Sequence, residues 1–253
     1  MKRELTIFLT ALMFYTRIPV PRWVNHDAEY LNKATKYFPL IGVIVGSISA
    51  LVYLGTCHLI NHSLAILLSM ASSILLTGAF HEDGLADVCD GFGGGWTKEK
   101  ILLIMKDSRV GAYGVIGLIL ILALKYNVLL SFPGIQIPPV LIAAHALSRW
   151  AAATLILTHQ YVRENEDSKI KPVAKQFSAN HFIIASLFGI IPLLLLGHPY
   201  AILLVVPVYA MKIYMGWYFK KWIGGYTGDC LGATQQICEI VFYLSVLALW
   251  KYT

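Results

Sequence analysis

Long apolar runs dominate the pattern of hydrophobic and polar positions along the chain. The segment at 37–60, YFPLIGVIVGSISALVYLGTCHLI, contains no Asp, Glu, Lys or Arg, and about 20 such residues are enough to cross a bilayer as a helix. The runs do not alternate between polar and apolar positions, as the strands of a membrane barrel do. The pattern therefore predicts an all-α fold, a polytopic bundle of transmembrane helices. About seven spans are predicted, at 37–60, 64–80, 110–131, 138–158, 181–197, 200–219 and 231–250.

Residues 4–16 show a second helical pattern, with apolar side chains on one face only. A helix of this kind either lies in the membrane interface or packs as a short buried helix, and the periodicity fits both. The chain has no tandem repeat and no low-complexity tract, so we expect residues 1–253 to form a single integral membrane domain. The apolar face comprises Leu5, Phe8, Leu9, Leu12 and Met13.

The distribution of charge indicates how the spans are oriented. Only 13% of the residues are charged, about half the usual fraction in soluble domains. Lys and Arg concentrate in segments 1–36, 81–109, 159–180 and 220–230, whereas the loops NHS, FPGIQI and HP contain none. Because cationic loops stay in the cytoplasm, we expect the basic segments and the N-terminus inside and the C-terminus outside. The net charge of +6 then reflects membrane topology rather than nucleic acid binding.

The acidic residues concentrate in one short stretch. Four of the fourteen lie in GAFHEDGLADVCDGFGGG, residues 78–95, directly after the second predicted span. Asp83, Asp87 and Asp90 follow an i, i+4, i+7 spacing, which places them within about 60° on one helix face. Carboxylates this close repel one another unless a cation neutralises them, and Mg²⁺ prefers oxygen ligands. The spacing therefore favours a site for Mg²⁺ or a similar hard cation over the alternative, a solvated acidic face at a helix end.

Glycines and further charged residues accompany this stretch. Gly84 and Gly91 would keep the helix surface open to a bulky group. Lys106 and Arg109 precede the third span, where either residue would serve as a membrane anchor. Arg109, which is followed by two nearby glycines, is also suited to grip phosphate oxygens with its planar fork. Asp229 lies in the Gly-rich entry to the last span and is either another metal ligand or a helix N-cap.

Several ionisable side chains lie within the predicted spans. Arg149 needs an anion there, either a phosphate or a span carboxylate such as Glu239. His145, four residues earlier, is interpreted as a buried, hydrogen-bonded histidine. Lys125 and Lys212 are predicted to extend toward opposite membrane surfaces. With the acidic stretch, these residues indicate a membrane enzyme that holds a metal–phosphate substrate at its cytoplasmic face.

Six motifs occur in this order along the chain: TRIPVP (16–21), FPLIG (38–42), FHEDGLADVCDG (80–91), MKDSRVGAYG (105–114), LSR (147–149) and GGYTGDCLGA (224–233). Their order and spacing resemble the cobalamin synthase family, the adenosylcobinamide-GDP ribazoletransferases, essentially from end to end. The resemblance implies that a hydroxyl of α-ribazole, or of its 5′-phosphate, attacks the cobinamide-side phosphorus of adenosylcobinamide-GDP and releases GMP. It also implies dependence on Mg²⁺ and a multi-pass location in a bacterial or archaeal inner membrane.

The pattern and the resemblance together select the site residues. The expected catalytic residues are Asp83, Asp87, Asp90, Arg109 and Asp229. The expected substrate-binding residues are Arg17, His81, Lys106, Ser108, Arg149 and Gly228. The expected metal ligands are Asp83, Asp87, Asp90 and Asp107. The expected partners are the two substrates and the lipid bilayer, with no nucleic acid; a homo-oligomer or a complex with other cobalamin-assembly enzymes stays open.

Two other functions remain as alternatives. The acidic stretch is also similar to the motif of CDP-alcohol phosphotransferases, which act on lipids, but Asp87 stands where that family has Arg. A cation transporter would place its acidic residues near the middle of the bilayer, whereas these residues cluster toward one face. An assay for GMP release separates the three functions.

Overall fold

The computed structural model describes residues 2–24, 28–163 and 178–252. Within these ranges the chain is helical, with an isolated β-bridge between Tyr161 and Tyr226 and no strand, which confirms the predicted all-α bundle. Single 3₁₀ segments occur at Thr35–Tyr37, Gly134–Gln136, Ile191–Leu196 and Ala201–Leu204. The α-helices are α1 (Lys2–Tyr15), α2 (Ala28–Ala34), α3 (Phe38–Thr56), α4 (His62–Thr77), α5 (Phe80–Gly94), α6 (Lys98–Ile104), α7 (Ala112–Leu130), α8 (Ile137–Thr158), α9 (Ala179–Ile190), α10 (Val205–Ile223) and α11 (Gly228–Tyr252).

Five helical segments of the described chain are long and apolar enough to cross a membrane. The predicted second span corresponds to α4, which has 16 residues and meets this criterion only together with α5, at 87° to it. The predicted fifth span corresponds to Asn180–Leu196, a shorter apolar segment. The described chain is thus a multi-pass helical bundle with five crossing helices, or six if the bent pair crosses as one, against about seven predicted. The five segments are Glu29–Thr56, Ala112–Leu130, Gly134–Thr158, Ala201–Ile223 and Gly228–Lys251.

Helix α8 lies at the centre of the bundle. Every residue from Ala143 to Ile156 is buried, as expected for a helix that other elements cover on all sides. Helix α3 packs directly on α8 at Gly42 and Gly46. A Cβ on Gly46 would lie 2.8 Å from the α8 backbone, and one on Gly42 would overlap the carbonyl oxygen of His145. The absence of side chains at these positions lets the two backbones approach closely.

We expect Gly42→Ala to destabilise the protein, because the added methyl group has no room against α8. Overpacking of this kind costs about 1–3 kcal/mol, so the melting temperature in detergent should fall by roughly 2–8 °C. Gly55→Ala is the matched control, since it lies on the same helix with no atom within 4 Å of its Cβ position. Equal melting temperatures for the two variants would contradict the tight α3–α8 contact.

The chain turns sharply between α4 and α5. Gly78 ends α4 with a φ of 65°, and Ala79 follows with a φ of 58°. Left-handed backbone is unfavourable for alanine, so packing around the corner must stabilise it. The Arg17 side chain packs over Gly78, and the backbone N–H of Arg17 donates to the Leu76 carbonyl oxygen at 2.8 Å. The corner directs α5 away from α4 and lays it against α7 and α11.

Candidate active site

Helix α5 carries the acidic stretch and packs tightly against α11. A Cβ on Gly84 would lie 3.0 Å from both the Cα and the carbonyl oxygen of Asp229. The Met105 side chain fills the space at Gly91 in the same way. The prediction that these glycines leave the helix surface open was therefore wrong, because neighbouring elements occupy both positions. The α5–α11 contact places Asp83 and Asp229 in the wall of one cavity.

Asp83 and Asp87 are the two residues of α5 whose carboxylates have no partner among the described residues. Asp83 is exposed and Asp87 is partly buried, and neither carboxylate forms a hydrogen bond or an ion pair within the described ranges. The charge of Asp87 is repelled by Asp229, Asp83 and Asp90 and attracted by Arg163. Burial and like charge both oppose an isolated negative charge. This environment favours a bound cation.

Asp90 has a different environment from the other two. It is buried, and its carboxylate oxygens accept hydrogen bonds from the N–H groups of Gly111 at 2.6 Å and Gly114 at 2.8 Å. These N–H groups belong to the N-terminus of α7, where a carboxylate satisfies free donors and interacts favourably with the helix dipole. Asp90 therefore anchors α7 to α5, a role that its spacing on α5 did not predict.

Asp107 and Arg109 form an ion pair at the surface. The Arg109 guanidinium donates to the Asp107 carboxylate through Nη2 at 2.6 Å and Nε at 3.0 Å, and these bonds lower the pKa of Asp107 to about 2. The charge of each residue is thus already balanced by the other. Lys106 and Ser108 are exposed beside the pair. A surface cavity of about 510 Å³ adjoins this segment, lined also by Lys100.

Arg163 supplies a cation that the sequence analysis did not select. Its Nη2 lies 2.8 Å from Asp229 Oδ2 and donates to the Met105 carbonyl oxygen at 2.9 Å. The sequence marked it only as one of several cations in a basic segment, far along the chain from Asp229.

The Thr227 hydroxyl accepts the hydrogen bond from Cys230 N at the start of α11, at 3.4 Å. Thr227 thus takes the capping role that was one of two alternatives for Asp229.

The cavity between Asp83 and Asp229 has a volume of about 220 Å³. Two residues predicted to bind substrate, His81 and Gly228, lie in its wall. His81 is 1% exposed, and its Nε2 has no hydrogen-bond partner among the described residues. The rest of the wall is mainly aromatic. The aromatic residues are Phe14, Tyr15, Phe38, Phe80 and Tyr161.

Arg17 and Arg149, which were also predicted to bind substrate, do not line this cavity. Arg17 is exposed beside Gly78 at the α4–α5 corner. Arg149 is 1% exposed in the middle of α8, where it donates to the His145 carbonyl oxygen at 3.1 Å. Its guanidinium lies 5.8 Å from the ring centre of Phe38. Arg149 therefore lies in the bundle interior next to a residue of the cavity wall, and its role in substrate binding stays a prediction.

Glu239 is the central anion of that interior. It pairs with Lys125 and accepts hydrogen bonds from the Tyr243 hydroxyl at 2.9 Å and from Gln235 Nε2 at 2.6 Å. Lys125 is 3% exposed and Lys212 is 2% exposed. The prediction that Lys125 extends to a membrane surface was therefore wrong, whereas the Lys212 amino group donates to the Thr158 hydroxyl at 2.8 Å, at the end of α8. A buried charge inside a membrane protein needs a partner, and Glu239 provides one for Lys125.

We expect the loss of either partner of the Lys125–Glu239 pair to be more destabilising than the loss of both. Breaking a buried pair leaves one charge uncompensated and costs about 3–5 kcal/mol. Lys125→Met and Glu239→Gln should each lower the melting temperature in detergent, and the double variant should regain part of the loss. If the double variant loses the sum of the two single effects, the side chains do not interact.

The metal-binding capacity of the site rests on few residues. Within the described ranges, no group of three or more His, Cys, Asp or Glu side chains is arranged to hold a metal ion. Asp90 is engaged by α7 and Asp107 by Arg109, so the expected set of four metal ligands is not preformed. Mg²⁺, however, is usually bound by one or two carboxylates together with water and substrate phosphates. Asp83 and Asp87 fit that mode of binding.

The fold and these side chains define a class of protein: a multi-pass helical membrane protein with a carboxylate cluster where α5 meets α11. The family model described as Cobalamin-5-phosphate synthase matches residues 7–248. The chain therefore belongs to this family, which confirms the resemblance seen in its motifs.

Relatives with the name adenosylcobinamide-GDP ribazoletransferase are similar over 97% of this chain. The relative from Shewanella piezotolerans is 49% identical, with 96% of its length covered. Those from Shewanella frigidimarina and Shewanella oneidensis are 48% and 46% identical, each with 95% of its length covered. No solved structure gives a significant match.

Proposed function

We propose that the protein joins adenosylcobinamide-GDP to α-ribazole, or to its 5′-phosphate, and releases GMP. Membership of the family and the names of the relatives support this reaction. The observation that carries the proposal is the meeting of Asp83 and Asp87 on α5 with Asp229 on α11, beside Arg163. Phosphoryl transfer depends mainly on charge neutralisation and positioning, and this cluster can supply both.

Mg²⁺ is the proposed cofactor, and Asp83 and Asp87 are its proposed ligands. Both carboxylates lack a partner within the described ranges, so their charge is available to a cation. When bound, Mg²⁺ would neutralise the diphosphate and polarise its phosphorus–oxygen bonds. Asp90 contributes indirectly, because its hydrogen bonds to Gly111 and Gly114 hold α5 and α7 together.

The proposed step exchanges one phosphorus–oxygen bond for another. The ribazole hydroxyl oxygen bonds to the cobinamide-side phosphorus, and the bond from that phosphorus to the GMP oxygen breaks, leaving its electron pair on GMP. The hydroxyl proton passes to Asp229 Oδ1. Asp229 Oδ2 is 2.8 Å from Arg163, and this ion pair favours the ionised carboxylate and fixes its orientation.

The guanosine diphosphate portion is proposed to lie along the cationic surface next to α6. Lys100 and Lys106 line the surface cavity there and form no ion pair within the described part of the chain. Arg109 lines the same cavity, but its charge is already balanced by Asp107. Two lysines with uncompensated charge are therefore the better candidates to attract the phosphates, with Arg109 as an oriented third cation.

An assay for GMP release with a carboxylate variant tests this function. The wild-type protein in detergent should release GMP only when adenosylcobinamide-GDP, α-ribazole and Mg²⁺ are all present. Asp87→Asn should lower kcat by about 100-fold or more and raise the Mg²⁺ concentration for half-maximal rate, because the metal loses a charged ligand. Size-exclusion chromatography should show that the variant remains folded.

Glu99→Gln is the matched control, since Glu99 is an exposed carboxylate in the first turn of α6. It should keep the wild-type rate and Mg²⁺ dependence. Near-normal turnover by Asp87→Asn at low Mg²⁺ would contradict the assignment of Asp87 as a metal ligand. A wild-type protein that releases no GMP but transfers a phospholipid headgroup from a CDP-alcohol would sink the proposed reaction itself.

The carboxylate cluster is proposed to face the cytoplasm of a bacterial or archaeal cell. The support is the concentration of Lys and Arg in the segments on the same side as the cluster, since cationic loops are retained inside. A reporter fused after Thr97 should therefore read as cytoplasmic, and one fused after Gly134, in a loop without Lys or Arg, should read as exported. The opposite pattern would contradict this orientation.

A further inference from the structure

Aromatic rings from three helices form most of the cavity beside Asp83. Phe38 of α3 stacks on Tyr15 of α1, with ring centres 4.3 Å apart and planes at 24°. Phe80 of α5 meets Phe14 of α1 edge to face at 5.5 Å. Rings held in this arrangement can contact a planar aromatic ligand through both their faces and their edges.

His81 adds a polar group to this aromatic wall. Its imidazole is stacked against Phe38 at 5.7 Å, with planes at 10°, so the ring orientation is fixed. Its Nε2 is buried and lacks a hydrogen-bond partner within the described ranges. A buried nitrogen of this kind is costly unless something satisfies it. A ligand with a ring nitrogen can form that hydrogen bond.

The size and position of the cavity restrict what it can hold. Its volume of about 220 Å³ is below the roughly 300–1,000 Å³ of pockets that enclose whole drug-sized ligands. A corrinoid with its side chains is far larger than this, whereas a single fused aromatic ring system is of suitable size. Asp83 and Asp229 also line the cavity, so a group attached to the ring can reach the carboxylates.

We propose that this cavity binds the heteroaromatic base of the nucleoside substrate, with His81 Nε2 hydrogen-bonded to a nitrogen of the base. The inference rests on the proposed function and assigns the nucleoside substrate to the aromatic cavity. The base lies between the aromatic rings, and the ribose reaches Asp83 and Asp229, where its hydroxyl attacks the diphosphate. A lipid acyl chain would fill the apolar volume but leave His81 unsatisfied and two carboxylates beside hydrocarbon.

Direct binding separates this role from a purely structural one. α-Ribazole should bind the full-length protein in detergent without adenosylcobinamide-GDP, as measured by titration calorimetry, and free 5,6-dimethylbenzimidazole should compete with it. Phe80→Leu removes a ring that is 43% exposed, and His81→Phe keeps the ring shape but removes the nitrogens. Each should raise the Kd and the KM for α-ribazole by about 10-fold, the effect of one lost contact of 1.4 kcal/mol.

The controls make the outcome specific to the base. Phe182→Leu changes a partly buried ring on α9, and His62→Phe changes a histidine whose Nδ1 contacts the Tyr53 hydroxyl at 2.8 Å. Both should leave the KM for α-ribazole unchanged. In the two test variants the KM for adenosylcobinamide-GDP and the rate at saturating α-ribazole should stay within about 2-fold of wild type, a difference well below 1 kcal/mol.

Three results would overturn the inference while leaving the proposed function intact. The first is GMP release by wild type with an unchanged α-ribazole Kd in both test variants. The second is a raised KM for adenosylcobinamide-GDP instead of α-ribazole. The third is displacement of α-ribazole by phospholipid but not by dimethylbenzimidazole. If His81→Phe fails to fold, Phe80→Leu decides alone. Absence of GMP release from wild type would instead count against the proposed function.

Discussion

The close contact between α5 and α11 is the constraint on which the rest of the site depends. Gly84 lies against the backbone of Asp229. A Cβ at position 84 would be only 3.0 Å from the Cα and the carbonyl oxygen of Asp229. Only this approach brings carboxylates from distant parts of the chain to one cavity. The sharp corner at Gly78 and Ala79 makes the contact geometrically possible, because it turns α5 away from α4 by 87°. Tight helix packing and clustered charge are thus two consequences of one arrangement.

The interior of the bundle also contains charged side chains that need compensation. Arg149, Lys125 and Glu239 are all buried, although an isolated charge in an apolar environment is very costly. Glu239 compensates Lys125 directly, and Tyr243 and Gln235 complete its hydrogen bonds. The network lies behind the aromatic cavity, with Arg149 5.8 Å from the Phe38 ring. A rigid polar core of this kind can hold the cavity wall in place while substrates bind and leave.

Two cavities, one formed partly by α5 and the other by the neighbouring α6, have different linings. The 220 Å³ cavity is lined mainly by aromatic rings, and the surface cavity next to α6 carries Lys100, Lys106 and Arg109. An aromatic wall suits an uncharged ring, and a cationic surface suits phosphate groups. A transferase that joins a nucleoside to a diphosphate-activated partner needs both kinds of environment. The arrangement is therefore consistent with the family to which the chain belongs.

Local patterns along the chain were enough to predict the membrane class, the helical fold and the acidic stretch as the candidate site. Apolar runs and helical spacing are local properties, so they can be read without knowing what packs against what. Its motifs also pointed to the family, and His81, Gly228, Asp83 and Asp229 do share one cavity. These successes all rest on features that lie within a few residues of one another or on motif order.

Contacts between helices, by contrast, determine which of these residues are free for chemistry. Spacing on α5 grouped Asp90 with Asp83 and Asp87, yet the N–H groups of α7 engage it. The sequence marked Arg163 only as part of a basic segment, because its partner Asp229 is brought to it by the fold. A side chain's charge is set by its residue type, but its partners are set by contacts between helices that are distant along the chain. That is why the chain alone could locate the chemistry but could not assign the individual roles.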